Sequence, residues 1–383
     1  MLGATQTFGT LGAFGTLVTR DLLHRSSELQ APAVHQKAAV DWLIRAHESS
    51  GDGGVSYGYA LRGNGWRPSY RETTGYILET FFDLHHAGLE ATAGQRALEM
   101  ARWCVGIQND DGSISNPRYN PGQGIVFDTG QVLFGLVRAY EETKDPVFMT
   151  AAERAGGWLV EVANEEGRWT RNTHLSVPHV YNTRVAWALL RVNQIAPNTE
   201  GANARERVAR ANLDWALTQE REGGYELCAF EPWNPPFTHT IAYALRGLLE
   251  SSQLLGEEKY LESVLRVGAR IRAHVRSDGF VPGEIDPLGN ARASYCCLTG
   301  NCQLALVWAK LFASTGDARY KNAAVDAVRY VMRHQDLQTS NLNIRGAIPG
   351  SQPIWGRYAP MSFPNWASKF FVDAVTAVSE WLT

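Results

Sequence analysis

Cysteine is scarce in this chain of 383 residues, with five at Cys104, Cys228, Cys296, Cys297 and Cys302. An odd number at irregular spacing builds no disulfide framework. The last three stand together without the Cys-x-x-Cys or Cys-His spacing of a metal site, so small packing groups are expected and neither metal nor cofactor is implied. Long apolar runs are missing too: none approaches the roughly 20 residues that cross a bilayer, which argues against a membrane span. The opening residues MLGATQTFGTLGAFGTLVTRD carry neither a basic n-region nor a compact apolar h-region, and with reduced thiols this leads us to expect a cytoplasmic protein. Positive charge is not in excess, with 36 Lys and Arg against 39 Asp and Glu, so nucleic acid is not expected as the main partner. The glycines of GDGG and LRGNGW follow no strand and open no phosphate-binding helix, and no Ser nucleophile elbow occurs. Nor does a Pro/Gly/Ser-rich linker or a charge run divide the chain, so one large domain is expected rather than two.

What the chain does have is one pattern written six times. A segment of helical apolar periodicity comes first: VDWLIRAHE, ALEMARWCVGIQ, AAERAGGWLVEVA, ARANLDWALTQ, VLRVGARIRAHV and AAVDAVRYVMRHQ. Gly-, Asp- or Ser-rich punctuation follows, such as GDGGVSYG, NDDGSIS or REGGYEL, where the chain turns. A second, richer helix then opens on polar residues: RETTGYILETFFDL, FDTGQVLFGLVRAY, YNTRVAWALLRV, THTIAYALRGLLE, YCCLTGNCQLALVWAKLF and PNWASKFFVDAVTAV. Helices apolar nearly all round belong inside, so the first kind is outer and the second inner. Twelve helices in six hairpins can form an open solenoid or a closed ring, and six units favour closure. The pattern resembles the six-hairpin (α/α)6 toroids shared by many carbohydrate-active enzymes. On that resemblance we expect an all-α, single-domain (α/α)6 toroid, with an N-terminal extension over residues 1–37 and the catalytic toroid over 38–383.

In such a toroid the outer-to-inner loops and the first turns of the inner helices share one mouth. The repeats then bring together Trp66, Tyr70, Arg71 and Glu72; Asn120 and Asp128; His179, Tyr181, Asn182 and Arg184; Trp233, Asn234 and His239; Glu284, Asp286, Arg292, Tyr295 and Asn301; and Trp355, Arg357, Tyr358, Asn365 and Trp366. Glu72, Asp128 and Asn182 also stand where helix-capping acceptors belong. Trp66, Trp233 and Trp355 recur at one position class, as platforms for sugar rings would.

Two family resemblances narrow the chemistry. The blocks RETTGY, VFDTGQVLFGLVRAY, YNTRVAWALL, CLTGNCQLALVW and GAIPGSQPIWGRY with PNWASKFFVDA resemble the VpsJ-like proteins of bacterial polysaccharide biosynthesis clusters, which implies a sugar-polymer context. The segments GQVLFGLVRAYEETKDPVF (Gly130 to Phe148) and ARASYCCLTGN (Ala291 to Asn301) are similar to two blocks of the helical domain of D-glucuronyl C5-epimerases. That family's ARxxY tyrosine is catalytic and falls on Tyr295. Its second catalytic tyrosine has no equivalent, since SDGFVPGEID holds no Tyr, which leaves Glu284, Tyr181 or His239 as the other proton carrier.

Uronyl C5 epimerisation removes a proton alpha to a carboxylate and returns one on the opposite face, so it needs two proton carriers around one carbon and a cation for the enediolate. Tyr295 is the expected carrier, with Arg292 one helical turn before it to lower its pKa, and Arg292 and Arg184 to clamp the carboxylate. Arg71, Arg357, Asn182, Asn301 and the three tryptophans complete the expected substrate-binding set, and the partner is an acidic, uronic-acid-containing polysaccharide or oligosaccharide. Glycoside hydrolysis by paired carboxylates is the main alternative, with Glu72 and Asp128 as the pair. A uronate lyase and a non-catalytic polysaccharide-binding protein are the others.

Overall fold

The computed structural model describes residues 15–23, 28–63, 65–117 and 120–382. Much of the expected extension over 1–37 therefore lies outside the described residues; within it, 15–22 are helical. The outer helices are α1 (Pro32–Ser50), α3 (Ala93–Gly106), α5 (Pro146–Glu161), α7 (Ala202–Thr218), α9 (Glu258–Arg272) and α11 (Ala318–His334). The inner ones are α2 (Arg71–His86), α4 (Val126–Thr143), α6 (Thr183–Ile195), α8 (Thr238–Leu255), α10 (Leu298–Thr315) and α12 (Asn365–Val378). No described helix is long and apolar enough to cross a membrane.

The first five inner helices run into their outer successors through short connections of two to six residues. Lys144, Gly256 and Gly316 end α4, α8 and α10 in the left-handed conformation. The Asp145 and Asp317 side chains then accept the Val147 and Arg319 backbone N–H groups at 3.1 and 2.9 Å, capping α5 and α11. The return connections are long. Gathered at the opposite end of the hairpins, they carry short strand pairings and the loop residues singled out above.

Each inner helix packs on the next and α12 returns to α2, so the ring is closed. The seam joins the chain's two ends. Strand β1 (Gly58–Ala60) lies between β2 (Gly65–Trp66) and β7 (Ser362–Pro364), both antiparallel, with Tyr59 opposite Phe363. Asn365 at the start of α12 donates to the Ser56 carbonyl and to Thr73 Oγ1, both at 2.8 Å. On the outside, His35 Nδ1 meets Gln335 Oε1 at 2.6 Å and the Trp42 indole donates to the Asn343 carbonyl at 2.8 Å. The expected packing of the first hairpin against the last is what the structure shows. Four more short strands, β3 (Ser115–Asn116) paired with β4 (Asn120–Gly124) and β5 (Cys296–Cys297) paired with β6 (Ser351–Gln352), decorate the same mouth.

Close helix contact keeps the inner ring narrow. A Cβ on Gly135 of α4 would lie 2.1 Å from the Gly75 carbonyl oxygen of α2, and one on Gly247 of α8 would lie 2.4 Å from the Thr183 carbonyl carbon of α6. Backbone atoms cannot swing away as a side-chain tip can. We therefore predict that Gly135→Ala destabilises the protein by about 1–3 kcal/mol or more, as overpacking does. Gly157→Ala, on the exposed face of α5 with nothing within 4 Å, should stabilise it by up to ~1 kcal/mol through helix propensity. Urea midpoints that move together for the two variants would contradict this.

Candidate active site

The second residue of α2 is Glu72 and the third of α4 is Asp128, so adjacent inner helices present two carboxylates at the mouth. The Tyr70 hydroxyl donates to Glu72 and the Asn116 amide to Asp128. Arg71 stands beside Asp128 while its guanidinium holds Ser115 through two bonds of 2.9 Å, and Arg184 lies within electrostatic reach of Glu72. Asp128 Oδ2 is buried and meets no hydrogen-bond partner in the protein. Glu72 keeps some accessible surface, though protein surrounds it.

Both acids are pushed well above the carboxylate range. Burial is the first cause for each, and the negative charge of Asp128 is the second for Glu72, which reaches about 8 while Asp128 reaches about 7. The opposing hydrogen bonds and arginine charges only partly offset this. Near neutrality the pair therefore holds about one proton between two carboxylates.

Aromatic rings wall the cleft. Tyr57 packs edge-on against Tyr70 and Trp366, at 5.0 and 4.7 Å between centroids. Across from them Tyr181 meets Phe127 edge-on at 5.2 Å and stacks on His179 at 4.6 Å. Trp366 donates to the Tyr358 hydroxyl at 2.7 Å, and Tyr358 packs on His239. The His239 Nδ1 donates to Gln303 Oε1 at 2.7 Å, and burial drives its pKa down to about 3. At neutral pH it is an uncharged imidazole, able to accept a hydrogen bond through Nε2 but carrying no proton to donate in acid catalysis. Burial also raises the Tyr181 hydroxyl, with Glu72 and Asp128 among the charges acting on it.

No protein-family model matches the chain, and no curated protein matches it. Solved structures do. An unsaturated glucuronyl hydrolase specific for heparin superposes with a TM-score of 0.68 at 14% identity, covering 91% of this chain and 97% of that one. The unsaturated glucuronyl hydrolase of Bacillus sp. GL1, responsible for the degradation of glycosaminoglycan, gives 0.69 at 14% over 90% and 96%. The cellobiose 2-epimerase of Bacillus thermoamylovorans gives 0.65 at 13% over 95% and 99%. The fold is an (α/α)6 toroid.

Within that toroid the remaining expected residues separate. Tyr295 donates to Glu284, which also accepts from Arg357 Nε at 2.7 Å, so these three form a cluster on the rim. The charges acting most on Tyr295 come from Glu284, Cys297 and Arg357, and burial with the Glu284 contact pushes its hydroxyl up. The expected helical turn from Arg292 to Tyr295 does not exist. Because β5 pairs with β6 first, α10 begins only at Leu298, and the Arg292 side chain is 58% exposed and faces Asp286 at 3.9 Å. Arg184 is 4% exposed, under the cleft floor, with Nε donating to Gln131 Oε1 at 2.6 Å. As placed, it supports Glu72 from below rather than clamping a substrate carboxylate. Asn301 is buried, its amide donating to the Gly279 carbonyl at 3.0 Å and its oxygen accepting from Cys296, so it anchors the loop before α10.

Asn182 is buried at the mouth with an unpartnered Oδ1. Trp66 packs on Trp42 and Tyr59 and donates to Asn343, an anchored ring at the seam. Trp233 and Trp355 are 75% and 40% exposed on loops that Arg357 ties together through the Pro235 carbonyl. All five cysteines are free and buried. Asn116, Gln131 and Gln303, which hold Asp128, Arg184 and His239, carry no sequence signal that would have marked them.

The shared proton has a measurable consequence for stability. Each acid binds its proton more tightly in the fold than in the unfolded chain, so its contribution is favourable at acid pH and is lost as pH rises through about 7 to 8. Glu72→Gln and Asp128→Asn should therefore raise the melting midpoint at pH 8.5 by a few degrees, reflecting about 1–3 kcal/mol, and change it much less at pH 5. A difference in midpoint between variant and wild type that is the same at pH 5 and pH 8.5 for both variants would show that the fold does not raise the proton affinity of these carboxylates.

Proposed function

We propose that the protein is a carbohydrate-active enzyme that hydrolyses a glycosidic bond in an acidic sugar polymer, with Glu72 as proton donor and Asp128 as base or nucleophile. The observation that carries this is the pair itself: two carboxylates on adjacent inner helices, both with raised proton affinity because they are buried, Glu72 further because of the Asp128 charge. Glycoside cleavage asks for that division of labour, one acid to protonate the leaving oxygen and one anion on the other side of the anomeric carbon. Glu72 binds its proton more tightly, which suits the donor. Once it has given the proton up, the Tyr70 hydroxyl and the Arg184 charge stabilise its anion. Asn116 and Arg71 favour the ionised form of Asp128, and the unpartnered Oδ2 is the atom left for a water or an anomeric carbon. The half-buried rings of Tyr57, Tyr70, Phe127 and Phe230 give apolar faces to pyranose rings. Glucuronyl hydrolases among the similar solved structures support the substrate class.

Uronyl C5 epimerisation is the second reading, favoured by the Tyr295–Glu284 couple on the rim and by an epimerase among the structural neighbours. Against it, Glu284 holds the Tyr295 proton in place, whereas a base must release it.

Oligosaccharides of uronic-acid polymers, incubated with the protein in deuterated water, separate the chemistries through new reducing ends, label at C5, or unsaturated uronate absorbance. We expect reducing ends, with Glu72→Gln and Asp128→Asn each losing about a hundred- to ten-thousandfold in kcat and Tyr295→Phe losing less than about tenfold. The wild-type profile should be bell-shaped around neutrality, and Glu72→Gln should lose its alkaline limb. C5 labelling that disappears in Tyr295→Phe and survives in both carboxylate variants would replace hydrolysis by epimerisation.

A further inference from the structure

The arginines expected to bind substrate are otherwise engaged: Arg184 on Gln131 under the floor, Arg71 on Ser115 beside Asp128, Arg357 on Glu284, and the exposed Arg292 facing Asp286. Yet a substrate acid cannot sit against Glu72 and Asp128, since like charges at close range repel strongly in an enclosed site. Its charge must be met away from the pair. The seam of the toroid offers such a place. Between the β1–β2 turn and the strand β7 lies a half-open cavity of about 380 Å³, lined among others by Tyr57, Tyr59, Arg62, Arg67, Met361 and Phe363. That is within the range that seats small ligands. Arg62 lies in the β1–β2 turn and Arg67 directly after β2, and no carboxylate is among the described residues lining the cavity.

Two further features mark it as built. Tyr57 is shared, for the ring that lines this cavity also packs on Tyr70 and Trp366 of the cleft wall. The far wall is pinned in an unusual backbone: Ala359 and Met361 both have positive φ, at 45° and 54°. Met361 is held by hydrogen bonds on either side, from its N–H to the Ile354 carbonyl at 2.8 Å and from the Leu61 N–H to its own carbonyl at 3.0 Å. Non-glycine residues rarely adopt such angles unless the surrounding structure over-determines them, and they gather where ligands are clamped.

We propose that this cavity is an anion subsite that seats the acidic group, carboxylate or sulfate ester, of the sugar next to the one held at Glu72 and Asp128. Guanidinium forks suit both groups because each offers two oxygens to parallel N–H donors. The subsite deepens the reading of the cleft as a polysaccharide site and rests on it for the neighbouring sugar, while its charge preference is a separate matter of affinity.

The test uses calorimetry on the full chain carrying Glu72→Gln, so that binding is read without turnover. The probes are tetrasaccharides of hyaluronan, polygalacturonate and chondroitin sulfate, each beside its carboxyl-reduced form. At least one acidic probe should bind tenfold or more tightly than its reduced form, and adding Arg62→Gln with Arg67→Gln should erase that difference. Arg62→Lys with Arg67→Lys should restore part of it, which a merely unfolded loop would not. If the preference disappears on carboxyl reduction only in the unsulfated probes, the sulfate ester also serves as ligand. Equal affinity for both forms of every probe, absence of binding by all, or a preference that survives the double glutamine variant each overturns the subsite. Failure of the hydrolysis reading is seen elsewhere, in retained turnover by the Glu72 and Asp128 variants, so the two outcomes are distinguishable.

Discussion

One buried guanidinium sits where the inner helices converge. Arg184 of α6 lies over the rings of Tyr76, Phe134, Trp187, Tyr243 and Phe370, at 4.9 to 5.9 Å from their centroids, drawn from α2, α4, α6, α8 and α12. A cation with one neutral hydrogen-bond partner in such surroundings is costly to desolvate, and burial lowers its pKa accordingly. Ring faces offset part of that cost, at about 0.5–2 kcal/mol for each good contact. The rest comes from charge above and below: Glu72 toward the mouth and Glu79 two turns further along α2 both feel Arg184. The floor of the cleft is therefore positively charged and immovable. Removing the guanidinium would leave Gln131, Glu72 and five ring faces without the group around which they are arranged.

That arrangement decides which electrostatic effect governs the carboxylates. Both stand in the first turn of an inner helix, where the helix dipole favours an anion by about 0.3–1 kcal/mol. Alone, this would lower their pKa values. Enclosure, and for Glu72 the Asp128 charge, act the other way and are larger, since Glu72 moves from 4.5 to about 8 against the Tyr70 bond and the Arg184 charge. The hairpin geometry is the cause. Short inner-to-outer turns leave all the long loops at the other end, where they cover the helix starts and exclude water.

Six apolar repeats and their punctuation were enough to expect a closed ring with one mouth, because a 3.6-residue period and turn chemistry are local properties. Glu72 and Asp128 were legible for the same reason, as acids in the first turns of inner helices. Arg184 was placed at the mouth because a helix apolar all round does not disclose which face meets the axis. The Arg292–Tyr295 spacing failed because strand pairing between residues 296–297 and 351–352 delays the helix, and such pairing leaves no periodic trace in a two-residue strand. Asn301 looked like a site residue from its motif, but its partners, the Gly279 carbonyl and Cys296, lie in the preceding loop rather than in the cleft.

The arginines at residues 62 and 67 were invisible for a more instructive reason. They belong to the first hairpin, while the wall opposite them, Ala359 to Phe363, belongs to the last. The two meet only through the antiparallel pairing of β1 with β7, about three hundred residues apart in sequence. The carboxylate pair, in contrast, spans two successive repeats and forms wherever α2 packs on α4. The cleft thus has a local half, set by neighbouring hairpins, and a half that exists only when the ring is shut. Closure and the shape of the cleft rest on the same short sheet, with Asn365 bonding across it to Ser56 and Thr73. In an open solenoid of the same six hairpins the acids would still be adjacent, but the arginine turn would face solvent and Tyr57 would have no Trp366 to pack on. The toroid is in this sense part of the binding chemistry: it brings the wall of the last repeat against the arginines of the first, at the edge of a site whose anions lie in the first two repeats.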